Sequence, residues 1–155
     1  MDYFIFSLLF LLSHTTAYII AGLIALKISK EIYESKNRYC DFLRDMSDKD
    51  ESKHVSSFFL IAQFFRGLLM SVVLFPLLNT LIDFSFILKL IFVSSLMFVF
   101  THIAAVSPFI DNIEGFVYFK KKYIKGKIIL KFQLEMVIYS VLFGLFMSLL
   151  LGLTF

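Results

Sequence analysis

The sequence predicts an all-α, integral membrane fold: an antiparallel bundle of four transmembrane helices whose first helix extends into the cytoplasm. Three observations carry this expectation. Of 155 residues, 59% are hydrophobic and mean hydropathy is +0.86, above the roughly 45–50% apolar content of soluble domains. The charged residues fall in blocks, and the runs between the blocks are nearly free of them. Each of four such runs is long enough for the roughly 20 residues that cross a bilayer. The chain therefore reads as one four-span domain over 1–155, with no room for a separate catalytic domain.

The first span is Tyr3–Ile28. It lacks a basic leader and runs on into Lys27 and Lys30 rather than a small-residue cleavage site, so it reads as a span and not as a signal peptide. The others are Ser57–Asp83, Phe86–Ile110 and Ile129–Phe155, with connections at 29–56 and 111–128. The second and third spans are separated by only a few residues, which predicts antiparallel neighbours.

Lysine and arginine set the orientation. Lys27, Lys30, Lys36, Arg38, Arg44, Lys49 and Lys53 crowd the first long connection, and Lys120, Lys121, Lys122, Lys125, Lys127 and Lys131 the second; the opposite ends hold Lys89 alone. Both connections are expected in the cytoplasm and both termini outside a cell membrane. The net charge of +3 then reflects topology and attraction to anionic lipid head groups on the cytoplasmic face, and calls for no nucleic acid.

In the first connection the basic residues are matched by acidic ones, and Ile28, Ile32, Tyr39, Phe42, Leu43 and Met46 recur at helix-like spacing. This predicts a helical extension with an apolar face resting on the bilayer surface, on a partner chain, or over the mouth of its own bundle. Residues 47–53 read as a solvated linker. The single cysteine, Cys40, reads as a small apolar residue and excludes an internal disulfide, a CxxC pair and a cysteine-built metal site.

Small residues recur every fourth position on two spans: Ser13, Ala17, Ala21 and Ala25 on the first, Ser140, Gly144, Ser148 and Gly152 on the last. In lipid such stripes let helix backbones approach closely. They predict packing of the first span on the fourth, or a seam for a homodimer or a partner membrane protein. Gly67 and Ser71 form a shorter version on the second span.

Arg66 lies inside an otherwise apolar stretch, where a charge costs roughly 2.5–3.5 kcal/mol and persists only with a partner, water or a use. At about 1.5 Å of rise per residue, Arg66, His102 and Glu135 fall at similar depth on three spans. With Gln63 and Gln133, and the hydroxyls of Thr101 and Ser107, they predict a polar cluster in the cytoplasmic half, with Arg66 and Glu135 as its ion pair. Such a cluster serves to fix helix pairing, or to bind an anionic group or relay protons. His14 and His102 are the only embedded histidines that could form a bis-histidine haem site, but their depths differ by roughly 7.5 Å, so no cofactor is expected.

Pro108 predicts a kink or end of the third span. Asp111, Asn112 and Glu114 follow it at the cytoplasmic rim, where oxygen ligands could hold a divalent cation or serve as caps and turns. No zinc helix, glycine-rich phosphate loop or Ser-His-Asp set is present. The function expected is non-enzymatic: a binding, transport-related or membrane-complex component. An intramembrane enzyme acting on a lipid head group and a purely structural subunit are the alternatives.

Overall fold

A computed structural model describes residues 2–34 and 40–155, and every described element is helical. In chain order these are α1 (Asp2–Ile28), α2 (Lys30–Tyr33), α3 (Lys49–Val73), a 3₁₀ turn (Phe75–Leu77), α4 (Leu78–Asp83), α5 (Phe86–Phe98) continuing as a π-helical turn (Val99–Ile103), α6 (Ile113–Tyr118) and α7 (Gly126–Thr154). Four helices are long and apolar enough to cross a membrane: α1, α3, α5 with its π turn, and α7.

Packing places the long helices in the order α3, α1, α7, α5. The core holds Phe6, Phe10, Ala17 and Ala21 of α1 against Tyr139, Phe143, Met147 and Leu151 of α7, with Val93 and Met97 of α5 behind. Phe10 meets Phe143 edge-on with ring centroids 4.9 Å apart. The expected neighbours α3 and α5 barely touch. The sequence between them is not a bare turn: Pro76 sits in the first turn of the 3₁₀ segment, and α4 then buries Leu78 and Leu81 in the core, acting as a spacer. Lys89, buried on α5, donates to the Ile82 carbonyl at the end of this spacer, 3.1 Å away.

Helix ends differ from the expected spans for local reasons. α3 begins eight residues earlier than the expected Ser57, because the Asp48 carboxylate accepts from the backbone N–H groups of Asp50 and Glu51 and caps it. The stretch expected as a linker is thus largely the first turn of α3. The third long helix ends at Ile103 rather than Ile110. Within its last turns the Thr101 hydroxyl donates to the Met97 carbonyl (2.6 Å), a bond that competes with the helical ladder. Ala104 N–H reaches back five residues to Val99 (2.8 Å).

The first helix does not extend as expected. It stops at Ile28, α2 is a single turn, and the chain then bends through residues 40–48; Lys36, Arg38 and Tyr39 lie outside the described residues. The apolar positions turn inward instead. Ile32 and Cys40 form a second core with Ile110, Ile128 and Phe132, flanked by Tyr33, Leu43 and Tyr123. The two lysine-rich connections are tied together across this core, hereafter at the basic end of the molecule. Tyr123 donates to the Asp41 carboxylate (2.9 Å) and holds that carboxyl below its ordinary range. Lys131 donates to Glu31 and to the Ile28 carbonyl.

Candidate functional site: a charged cavity at the basic end

Each ionisable side chain at the site is held by its own element. The π turn widens the backbone at Val99–Ile103, where His102 is buried; such turns recur at functional sites. Past it, Asn112 organises the loop that carries Asp111. Its Oδ1 accepts from Phe109 N–H (3.0 Å) and Gly115 N–H (2.8 Å), and its Nδ2 donates to the carbonyls of Ser107 (2.7 Å) and Ala105 (3.3 Å). Gly115 is required here, since a Cβ would lie 1.5 Å from the Phe109 carbonyl oxygen. Gln133 on α7 donates to the Asp111 carbonyl.

The result is a cavity of about 580 Å³ whose walls include Arg66, Glu135, His102 and Asp111, with Tyr18 and Tyr33 between them. His102 Nε2 stands 3.1 Å from Asp111 Oδ2. It lies off the hydrogen-bonding direction, so neither oxygen of this fully buried carboxylate has a hydrogen bond, and nor does Nε2. Tyr33 donates to Glu135 Oε2 at 2.7 Å. Burial, and then the Glu135 charge, raise the Tyr33 hydroxyl well above the ordinary tyrosine range, so it stays a donor. Arg66 is half-buried, with its guanidinium carbon 5.9 Å from the centroid of the Tyr18 ring.

Three of the five expected cluster residues, Arg66, Glu135 and His102, line this cavity. The expected Arg66–Glu135 ion pair does not form: no nitrogen of Arg66 comes within 4 Å of the Glu135 carboxylate, whose bonded partner is Tyr33. Gln133 is committed to the loop backbone, and Gln63 turns elsewhere. Its Oε1 lies 3.1 Å from His14 Nε2, and His14 Nδ1 lies 2.6 Å from the Tyr139 hydroxyl. Both ring nitrogens of His14 are thus engaged in a separate network, while His102 faces Asp111, and the pair is not arranged to share a haem.

The rim residues also separate. Asp111 turns inward, Asn112 spends its amide on the loop, and Glu114 is half-buried on α6. Among the described residues no group of three or more His, Cys, Asp or Glu side chains is placed to hold a metal ion.

The small-residue stripes divide their work. Ser13, Ala17, Ala21 and Ala25 are all buried on α1, and α1 packs on α7, with Ser13 donating to Met147 Sδ (3.8 Å). Gly144, however, faces α5, where a Cβ would meet Ser94 Oγ at 2.0 Å and the Leu90 carbonyl oxygen at 3.0 Å. Ser140 and Ser148 are buried beside it, whereas Gly152 is exposed with open space around it. Gly67 seats α3 on Leu11 and His14 of α1, and Ser71 donates to Ser7 (3.0 Å) in the same seam.

Tyr18, Tyr33 and Tyr139 were not anticipated. Tyr139 had a legible signal: tyrosine belongs at membrane interfaces, and one in mid-run needs a partner for its hydroxyl. No family model, curated protein or solved structure matches this chain.

Proposed function

We propose that this chain is a multi-pass protein of the cell membrane, an antiparallel four-helix bundle with both termini outside, that binds a small ligand in its cytoplasmic half and serves transport or a membrane complex. Two features support the membrane reading. α3 buries only Gln63, Gly67 and Ser71 and exposes Phe58, Phe64, Phe65, Leu69 and Val73 among others, a surface suited to lipid. The basic connections lie together at one end, as the positive-inside rule requires. With Cys40 replaced, impermeant thiol reagent applied to intact cells should label a cysteine at Phe155 and miss one at Lys122; the reverse pattern overturns this topology.

One observation carries the binding reading. The walls of a 580 Å³ cavity hold Arg66 and Glu135 without a direct ion pair between them, and a buried Asp111 carboxylate that faces His102 at 3.1 Å without a hydrogen bond. An ion pair serving only to fix helix pairing would be closed and fully bonded, because each unsatisfied buried polar group is costly. Protein isolated in mild detergent should carry a ligand visible by mass spectrometry, and a Glu135→Gln variant with unchanged folded yield should lose it. Identical extracts from the two proteins would overturn the reading.

A second reading has its own support. His102 beside the Asp111 carboxylate resembles a base and its orienting acid, so an intramembrane enzyme could hold a phosphate head group on Arg66 and use His102 and Glu135 as base and acid. Turnover of a phospholipid by reconstituted protein, lost in His102→Gln, would favour this reading.

A further inference from the structure

The charges of the cavity do not balance unless it carries one more positive charge. Arg66 supplies one; Glu135 and Asp111 supply two negative charges; His102 supplies one only when protonated. These are the charged groups that line it, contributed by α3, α7, the Pro108–Asn112 loop and the π turn, with the Tyr18 and Tyr33 hydroxyls as further titratable neighbours from α1 and α2. Away from bulk water an uncompensated charge costs several kcal/mol, so a bound cation would restore the balance.

A second cavity of about 650 Å³ adjoins the first. It shares Tyr18, Tyr33, Leu43 and Glu135 with the charged cavity and is otherwise nearly apolar, lined by residues such as Ile19, Leu23, Phe59 and Leu60, with Arg44 exposed to solvent at its rim. Tyr18, Tyr33, Phe109 and Phe132 give the charged cavity aromatic walls beside its carboxylates. Carboxylates together with aromatic faces recognise organic ammonium groups, because the ring quadrupole attracts a cation that is poorly hydrated.

We infer that the ligand is a lipophilic monocation, its charged centre seated between Glu135, Asp111 and the Tyr33 ring and its apolar part in the adjoining cavity. This rests on the binding reading of the same cavity and names the ligand class. The cation supplies the positive charge that Arg66 alone does not provide against Glu135 and Asp111.

Two ions of the same shape and opposite charge test it, tetraphenylphosphonium and tetraphenylborate, by equilibrium dialysis against the full chain in mild detergent. Tetraphenylphosphonium should bind, and Asp111→Asn should weaken its binding. Gly22→Leu should weaken tetraphenylphosphonium binding by about fivefold or more and leave that of tetramethylammonium, which has no apolar part to place, unchanged. Gly22 lines the apolar cavity, and a Cβ there meets nothing within 4 Å, so this variant should fold. Tighter binding of tetraphenylborate, weakened by Arg66→Met, would overturn the cation inference while the binding reading stands. Binding of neither ion, together with no retained ligand in the purified protein, would overturn both.

Discussion

His14 and Tyr139, 125 residues apart in sequence, form the shortest link of a buried polar chain that ties three of the four long helices together. His14 Nδ1 lies 2.6 Å from the Tyr139 hydroxyl while Nε2 lies 3.1 Å from Gln63. The Tyr139 hydroxyl also approaches Met97 Sδ at 3.9 Å, which brings in α5. Tyr139→Phe removes one donor and leaves a ring nitrogen of His14 without its partner, a loss of roughly 1–3 kcal/mol where the group stays dry. Thermal unfolding in detergent should show the single variants Tyr139→Phe and Gln63→Leu destabilised. The double variant should fall short of the sum, because both act through one imidazole. Simple additivity would mean that the ring is not the shared node.

Gly144 should be intolerant for the sake of α5, not α1. A Cβ there lies 2.0 Å from Ser94 Oγ and 3.0 Å from the Leu90 carbonyl oxygen, whereas Gly152 has open space. Gly144→Leu should therefore reduce disulfide cross-linking between cysteines engineered on α5 and α7 more than between those on α1 and α7. Gly152→Leu should leave both unchanged. Equal loss at the two seams would show that the helix displaced as a whole.

The long helices were legible because their signal is additive: about 20 apolar residues in a row outvote any single polar one. The partners of the polar residues were not legible, because spacing along a helix gives depth and face but not which neighbour stands opposite. Arg66 and Glu135 share a depth and a cavity, yet the hydroxyl of Tyr33, on a one-turn helix outside the spans, took the carboxylate. Nor could periodicity show that Pro76 and α4 would hold α3 away from α5. The start of α3 was readable: Asp48 followed three positions later by Glu51 is the pattern of a capped helix. The charged composition of that stretch had suggested a linker instead.

A pH dependence follows from Glu31, whose carboxyl the Lys131 ammonium holds below its ordinary value. A depressed carboxyl contributes stability that is present above its unfolded pKa, about 4.3, and is lost as pH falls through the lower folded value. Glu31→Gln should therefore be less stable than the parent at pH 7, and the two should converge as pH falls below about 4. The Glu31 side chain is half-exposed, so salt should shrink the difference. A gap that persists at pH 3 would mean that the contact does not depend on the charge of Glu31.

The last prediction separates the partner of Glu135 from its cavity companion. Arg66 makes no ion pair with Glu135, so Arg66→Met and Glu135→Gln should change folded stability additively, within about 0.5 kcal/mol. Tyr33 and Glu135 are bonded at 2.7 Å. Tyr33→Phe leaves that carboxylate oxygen without its donor, and Glu135→Leu leaves the hydroxyl without its acceptor, each a cost of order 1 kcal/mol or more. Removing both leaves neither orphaned. The pair of variants should therefore show an interaction energy of at least about 0.5 kcal/mol, read from denaturation of the detergent-solubilised protein. Ligand retention should be lost with Glu135→Gln but only weakened with Tyr33→Phe, which keeps the ring face and the carboxylate. Strong coupling of Arg66 with Glu135, and none of Tyr33 with Glu135, would reverse the assignment and restore the direct ion pair.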